Sequence, residues 1–273
     1  MHVHDLATPY ARELQVATTL ITEVGSLALT MQASGLEEFF KTPTDIVTRA
    51  DREADARIRA RLKEQFPEDG LLTEENLPEG TERKRVWVVD PIDGTVNFAR
   101  GLPLWGISIA LLDNGVPVVA ACFLPALSEL YTAVRGLGAF LDGRRLAVSK
   151  TTVLRNALVS NGDFNVGPTG EEERINSQNL QAFAAETRAA RRVKCFGSAV
   201  VEGCFVASGR LDIYRMEVSQ PWDIAGIALL VEEAGGRVSD LAGHPVQWRA
   251  WQDAIFSNGR LHNEALMSFG RVV

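Results

Sequence analysis

The sequence predicts a mixed chain: an α+β half followed by an α/β half, packed against each other as one unit. Three observations predict it. Apolar residues recur at helical spacing up to about residue 62, and short continuous apolar runs replace them from residue 86. Beyond residue 148 candidate strands and helices alternate. The 273 residues, 46% hydrophobic and 23% charged, can bury two cores, and no low-complexity linker or internal repeat divides them. The expected halves are 1–148 and 149–273.

Leu14, Ala17, Ile21, Val24, Ala28 and Met31 recur at spacings of three and four and predict a helix over 10–31. Thr48 with Asp51 reads as a capping box opening a second helix, carried by Ala54, Ile58 and Leu62. Residues 67–84, rich in Glu, Gly and Pro, read as loop. Val86-Trp87-Val88-Val89 reads as a buried strand. Residues 106–112 and 116–124 read as a hairpin closed by Asp113-Asn114-Gly115, and Asp142-Gly143 marks a second hairpin. Ala157–Ser160 reads as a strand. Thr169 with Glu172 reads as the cap of a helix reaching about residue 190. Ser198–Ala207 reads as a helix ending at Gly209, and Leu211–Tyr214 as a strand. Pro221–Ala234 reads as an apolar helix, with proline at its start and Gly235-Gly236 at its end. Ala254–Ser257 closes the order as a strand, with a short helix behind it.

The formal net charge is −7, which argues against a nucleic-acid surface. An acidic chain that bound an anion would need local cations or helix N-termini. Cys122, Cys195 and Cys204 form no CxxC pair, so a reducing compartment is expected. No signal-peptide pattern opens the chain, and no apolar run reaches about 18 residues. These features predict a cytoplasmic protein without a membrane span.

The most informative segment is Asp90-Pro91-Ile92-Asp93-Gly94-Thr95-Val96-Asn97-Phe98. It follows a buried strand, so Asp90 falls at a strand's carboxyl end, where sheets of this kind hold ligands. A tight turn at Pro91 would bring Asp90 and Asp93 to one side. Gly94 permits close backbone approach and Thr95 offers a hydroxyl. Carboxylates and a carbonyl with few nearby cations suit a hard divalent ion. Glu74-Glu75, Asp51 and Asp223 supply further acids. Taken singly, Asp51 reads as a cap, Asp223 as a helix-dipole partner and Glu74-Glu75 as a solvated pair.

DPIDGTVNF at 90–98 and PWDIAGIALLVEEAGG at 221–236 resemble the two signatures of the inositol monophosphatase family. DIVTRAD at 45–51, LLTEE at 71–75 and GLGAFLDGRRLAVS at 136–149 are similar to weaker family motifs in the same order. The resemblance implies a layered αβαβα sandwich, often dimeric, and an Mg²⁺-dependent, lithium-sensitive phosphomonoesterase. It implies that Glu74, Asp90 and the Ile92 carbonyl hold one Mg²⁺, that Asp90, Asp93 and Asp223 hold a second, and that a third leans on Glu74. Thr95 and Asp51 would deprotonate the attacking water. The amides of Gly94 and Thr95 would cradle the phosphate, and Ser198 and Ala199 would approach the alcohol. The implied partner is a small phosphorylated metabolite, with inositol monophosphate first. Histidinol phosphate, sugar bisphosphates, a nucleotide 3′-phosphate and NADP are the alternatives.

Two positions depart from the family pattern. Thr73 stands where many relatives have Gly. Met216 stands seven residues before Asp223, where inositol-specific relatives carry a Glu, and Glu217 follows it. Competing motifs are weaker. The two Asp lie one residue too far apart for an aspartyl-phosphate phosphatase. Cys204 and Arg210 have thiol-phosphatase spacing, but the stretch reads as an apolar helix ending at Gly209. Gly136-Leu137-Gly138 lacks the third glycine of a dinucleotide fingerprint. His2, His4, His244 and His262 show no ligand spacing and read as surface or loop residues. A binding module that has lost catalysis is the alternative of a different class.

Overall fold

A computed structural model describes residues 9–34, 38–40, 46–164, 170–248 and 251–269. Helix α1 (Ala11–Ser34) buries Leu14, Ala17, Leu20, Ile21, Val24 and Ala28 on one stripe. By length and composition alone it is long and apolar enough to cross a membrane, a test that a buried core helix also passes. Here its apolar stripe covers a sheet, and the Thr18, Thr22, Ser26 and Thr30 hydroxyls donate to carbonyls four residues back. Strands β1 (Glu38–Phe40) and β2 (Ile46–Thr48) form a small antiparallel pair. Helix α2 (Arg49–Gln65) starts at the expected capping box. Ala50 N donates to Thr48 Oγ1 at 3.1 Å, and Thr48 N donates to Asp51 Oδ2 at 2.9 Å.

The first large sheet contains β3 (Gly70–Thr73), β4 (Arg85–Asp93), β5 (Gly106–Asp113), β6 (Val116–Leu124), β7 (Glu129–Val134), β8 (Gly138–Leu141) and β9 (Arg144–Arg145), in that spatial order. Strand β3 corrects the expected loop over 67–84. It pairs parallel to β4 and buries Leu71, and its outer edge is closed by a two-way backbone bridge between Leu71 and Glu79. The polar residues on either side hide a strand this short. Both hairpins stand as expected. Asn114 and Gly115 have φ of 50° and 74°, and Asp142 and Gly143 have 48° and 77°, which suits tight turns twisted like the strands. A five-residue helix, α3 (Thr95–Ala99), follows β4.

The second sheet has the order β11 (Arg192–Lys194), β10 (Leu158–Asn161), β12 (Ile213–Ser219), β14 (Gln252–Ser257), β13 (Arg237–Ser239). The expected strand at 211–214 begins later and runs on to Ser219. Helices α5 (Ala199–Ala207) and α6 (Pro221–Glu233) lie between the sheets. Their residues form one core with Ala120, Cys122 and Leu124 of β6 on one side and Tyr214, Ala254 and Phe256 on the other. Helices α4 (Glu172–Ala189) and α7 (His262–Phe269) cover the outer face of the second sheet around Val159, Ile213 and Ile255. The layers are therefore α1/α2, first sheet, α5/α6, second sheet, α4/α7: an αβαβα sandwich. Both sheets are covered on both faces, which is why their strands read as continuous apolar runs. Thr169, expected to cap α4, lies outside the described residues, as do Asp45, His2 and His4. His262 corrects its surface assignment: it is fully buried, hydrogen-bonded to Ser239 and Ser257 at 2.9 and 2.8 Å.

Candidate active site

The site forms where β4 leaves the first sheet. The β4–β5 pairing slips between Asp90, opposite Ser108, and Asp93, opposite Gly106. Three steps along β4 thus match two along β5, a bulge that absorbs one residue. Residues three apart on a regular strand face opposite sides, and the bulge brings Asp90 and Asp93 to one side. Pro91, which has no N–H to lose, sits inside it. The expected tight turn at Pro91 is therefore a bulge in a continuing strand. The chain turns at Gly94, whose φ is 83° and whose added Cβ would stand 3.0 Å from Ser198 Cβ and 3.1 Å from Gly197 O.

Two groups of expected site residues are joined by hydrogen bonds. Thr95 Oγ1 lies 3.2 Å from Asp51 Oδ1 and 3.1 Å from the Ile92 carbonyl. Asp51 Oδ2 accepts from Thr48 N and from Thr48 Oγ1 at 2.5 Å. Burial pushes the Asp51 carboxyl up to about 6 against these donors, and the Glu75 charge adds to the rise. Asp93 is held by the N-terminus of α5. It accepts from Ser198 Oγ, from Ala199 N at 3.2 Å and from Val200 N at 2.8 Å. Burial raises its carboxyl to about 6 as well. Ser198 and Ala199, expected to meet a substrate, here hold Asp93.

Asp90 is buried on the same strand. Glu74 follows β3 and is tied to β4 by Glu74 N donating to Val89 O at 3.3 Å. Asp223 stands in the first turn of α6 and accepts from Gln220 N at 2.7 Å. The buried Tyr214 phenol is raised well above its usual range by desolvation, and the Glu202, Asp93 and Asp223 charges add to the rise. Among the described residues no three His, Cys, Asp or Glu side chains close to metal-ligating distance. The donor set nevertheless suits a hard cation. It is all oxygen, and burial leaves Asp51 and Asp93 in want of positive charge.

Sequence reasoning missed three residues here. Asn97 Nδ2 donates to Leu104 O and Phe196 O, both at 2.7 Å, and so stitches β4's exit to the loop leading into α5. Its place inside the 90–98 motif was the available signal. Glu202 is buried beneath the Asp93 clamp, and Asp163 sits beside Gly197, with Oδ2 3.3 Å from where a Cβ would stand. Neither carries a local sequence signal. The thiol alternative fails on geometry. Burial raises the Cys204 thiol far above its usual range, and Arg210 is paired through both terminal nitrogens with Glu129 at 2.7 Å.

The sequence profile described as the inositol monophosphatase family matches residues 7–271. The chain is 36% identical over 229 residues to a fructose-1,6-bisphosphatase/inositol-1-monophosphatase of Thermotoga maritima, covering 84% of each chain. It is 39% identical over 226 residues to a histidinol-phosphatase of Mycobacterium tuberculosis, covering 81% of this chain and 83% of that one. Its fold is similar to the extragenic suppressor protein suhB of Bartonella henselae, with a TM-score of 0.87, 29% identity and coverage of 96% and 100%.

Proposed function

Because the chain belongs to the inositol monophosphatase family, a family of phosphatases, we propose that it is a metal-dependent phosphomonoesterase working at the β4 bulge, with inositol monophosphate as its first candidate substrate. The observation that carries this reading is Thr95 Oγ1, poised between Asp51 Oδ1 and the Ile92 carbonyl beside two buried carboxylates. Glu74, Asp90, Asp93, Asp223 and the Ile92 carbonyl would hold two to three Mg²⁺. Bound there, Mg²⁺ would polarise the phosphoryl group and neutralise its charge. Asp51, with its raised pKa and its bond from Thr95, would take a proton relayed through the Thr95 hydroxyl from the attacking water. Glu74 would help orient that water. The amides of Gly94 and Thr95 would receive phosphoryl oxygens. The donors from Ser198, Ala199 and Val200 favour the ionised form of Asp93 and would hold it toward the alcohol.

Strand parity bears on the substrate. On β12, Tyr214 and Met216 belong to the core facing α5, whereas Arg215 and Glu217 face α4 and α7. Glu217 is ion-paired with the buried Arg215 and cannot serve in place of a Glu at 216. A thioether accepts ring hydroxyls poorly. One observation favours histidinol phosphate as a second reading. The Asp163 carboxylate borders the site beside Gly197, and among the described residues no Lys, Arg or His pairs with it. It would attract a cationic alcohol and repel a second phosphate, against sugar bisphosphates, nucleotide bisphosphates and NADP.

Phosphate release from inositol 1-phosphate, histidinol phosphate, fructose 1,6-bisphosphate, adenosine 3′,5′-bisphosphate and NADP tests this. A monoester should be turned over with Mg²⁺ and spared with EDTA. Silence across the panel would sink the catalytic reading and turn attention to a binding role.

A further inference from the structure

Asp55 lies one turn beyond Asp51 on α2 and is fully buried. Its Oδ2 accepts from the side-chain amide of Asn76, and its Oδ1 meets no donor. Arg59, the next turn, stands 3.9 Å from Asp55 Oδ2, reaches Thr73 Oγ1 at 3.4 Å and pairs with Glu79. Asp55 thus grips the chain just after Glu74 and Glu75, through Asn76, while Arg59 holds the far end of the loop at Glu79. The same segment is held to β4 at its other end, by Glu74 N on Val89 O.

The need for such a grip follows from charge. The Glu75 charge reaches Asp51, and Glu74 is tied to β4, the strand that carries Asp90 and Asp93. Without a cation, neighbouring carboxylates repel one another, and the half-buried Glu74 and Glu75 lead directly into the exposed stretch 76–79. A neutral amide is a suitable tether, because it adds no charge to the cluster. A charged side chain so fully buried and so incompletely satisfied is poorly explained by stability alone.

We propose that Asp55, acting through Asn76, is a positioning residue that holds the 74–76 segment against α2, so that Glu74 is presented to a divalent cation before the cation arrives. The proposal rests on the metal-dependent reading above. Residues that orient metal ligands typically affect affinity by 10- to 100-fold.

Asn76 is exposed, so Asn76→Ala should fold. It should raise the Mg²⁺ concentration for half-maximal phosphate release about tenfold while kcat at saturating Mg²⁺ changes less than about threefold. The rise in melting temperature on adding Mg²⁺, read without substrate, should shift to higher Mg²⁺ by the same factor. Asp55→Asn keeps an acceptor for Asn76 and should stay near the parent protein, whereas Asp55→Ala should match Asn76→Ala, and the double variant should add nothing. Glu79→Gln, which loosens the neighbouring ion pair, should leave the Mg²⁺ response unmoved. An unchanged Mg²⁺ response in Asn76→Ala, or an equal loss in Glu79→Gln, overturns the proposal. A parent protein whose melting temperature ignores Mg²⁺ removes the metal reading and this inference together.

Discussion

Single residues carry the sharpest predictions. Asp93 receives three donors from the start of α5, and an Asn keeps part of that set while losing the charge. Asp93→Asn should cut phosphate release about a hundredfold or more and leave the circular dichroism spectrum intact; a folded, active variant would remove Asp93 from the site. Glu202 offers a pH test. Burial pushes its carboxyl from 4.5 up to about 8, against donors from Ser160 and Phe196 N and helped by the Asp93 and Asp163 charges. A carboxyl whose pKa is higher in the folded state stabilises the fold while protonated. That contribution is full below 4.5 and is lost as pH rises through about 8. Glu202→Gln keeps an acceptor for both donors, so its melting temperature should fall less than the parent's between about pH 6 and about pH 9. Parallel slopes would show that Glu202 does not titrate there. That Thr95 and Asp51 belong together was legible in their motifs. The facing of Glu217 was not, because parity speaks only once the strand is known to run through 219.

Secondary-structure elements were legible in proportion to how local their causes are. Helices α1, α2, α5 and α6 announce themselves by spacing, caps and terminal glycines, all within a few residues of where they act. Strand β3 and the β4 bulge depend on partners: β3 exists because β4 lies beside it, and the slip between Asp90 and Asp93 is set by β5. The contact between α5 and α6 gives this scale its prediction. A Cβ on Gly203 would stand 2.4 Å from Ile227 Cβ. Gly203→Ala should destabilise the protein by about 1–3 kcal/mol through overpacking. Pairing it with Ile227→Ala should recover part of the loss, since the two share one space. A Gly203→Ala protein that melts with the parent would show that the two helices separate freely.

At the scale of the whole molecule, α5 and α6 bury their sides against both sheets, so each sheet loses one of its two covered faces if the other is lost. The chain should therefore unfold in one transition, with far- and near-ultraviolet circular dichroism changing together. Two resolved transitions would mean that the halves fold independently. The sandwich also leaves strand edges open to solvent. Strand β3 is closed by its bridge to Glu79, but β9, β11 and β13 are outermost. Those three carry Arg144, Arg145, Arg192, Lys194 and Arg237. A protein with an excess of acids has put cations on its unpaired edges, where like charge hinders edge-to-edge joining of copies into aggregates. These basic side chains guard the dissolved state of a crowded or refolding population, and neutralising them should first show as turbidity while activity is still intact.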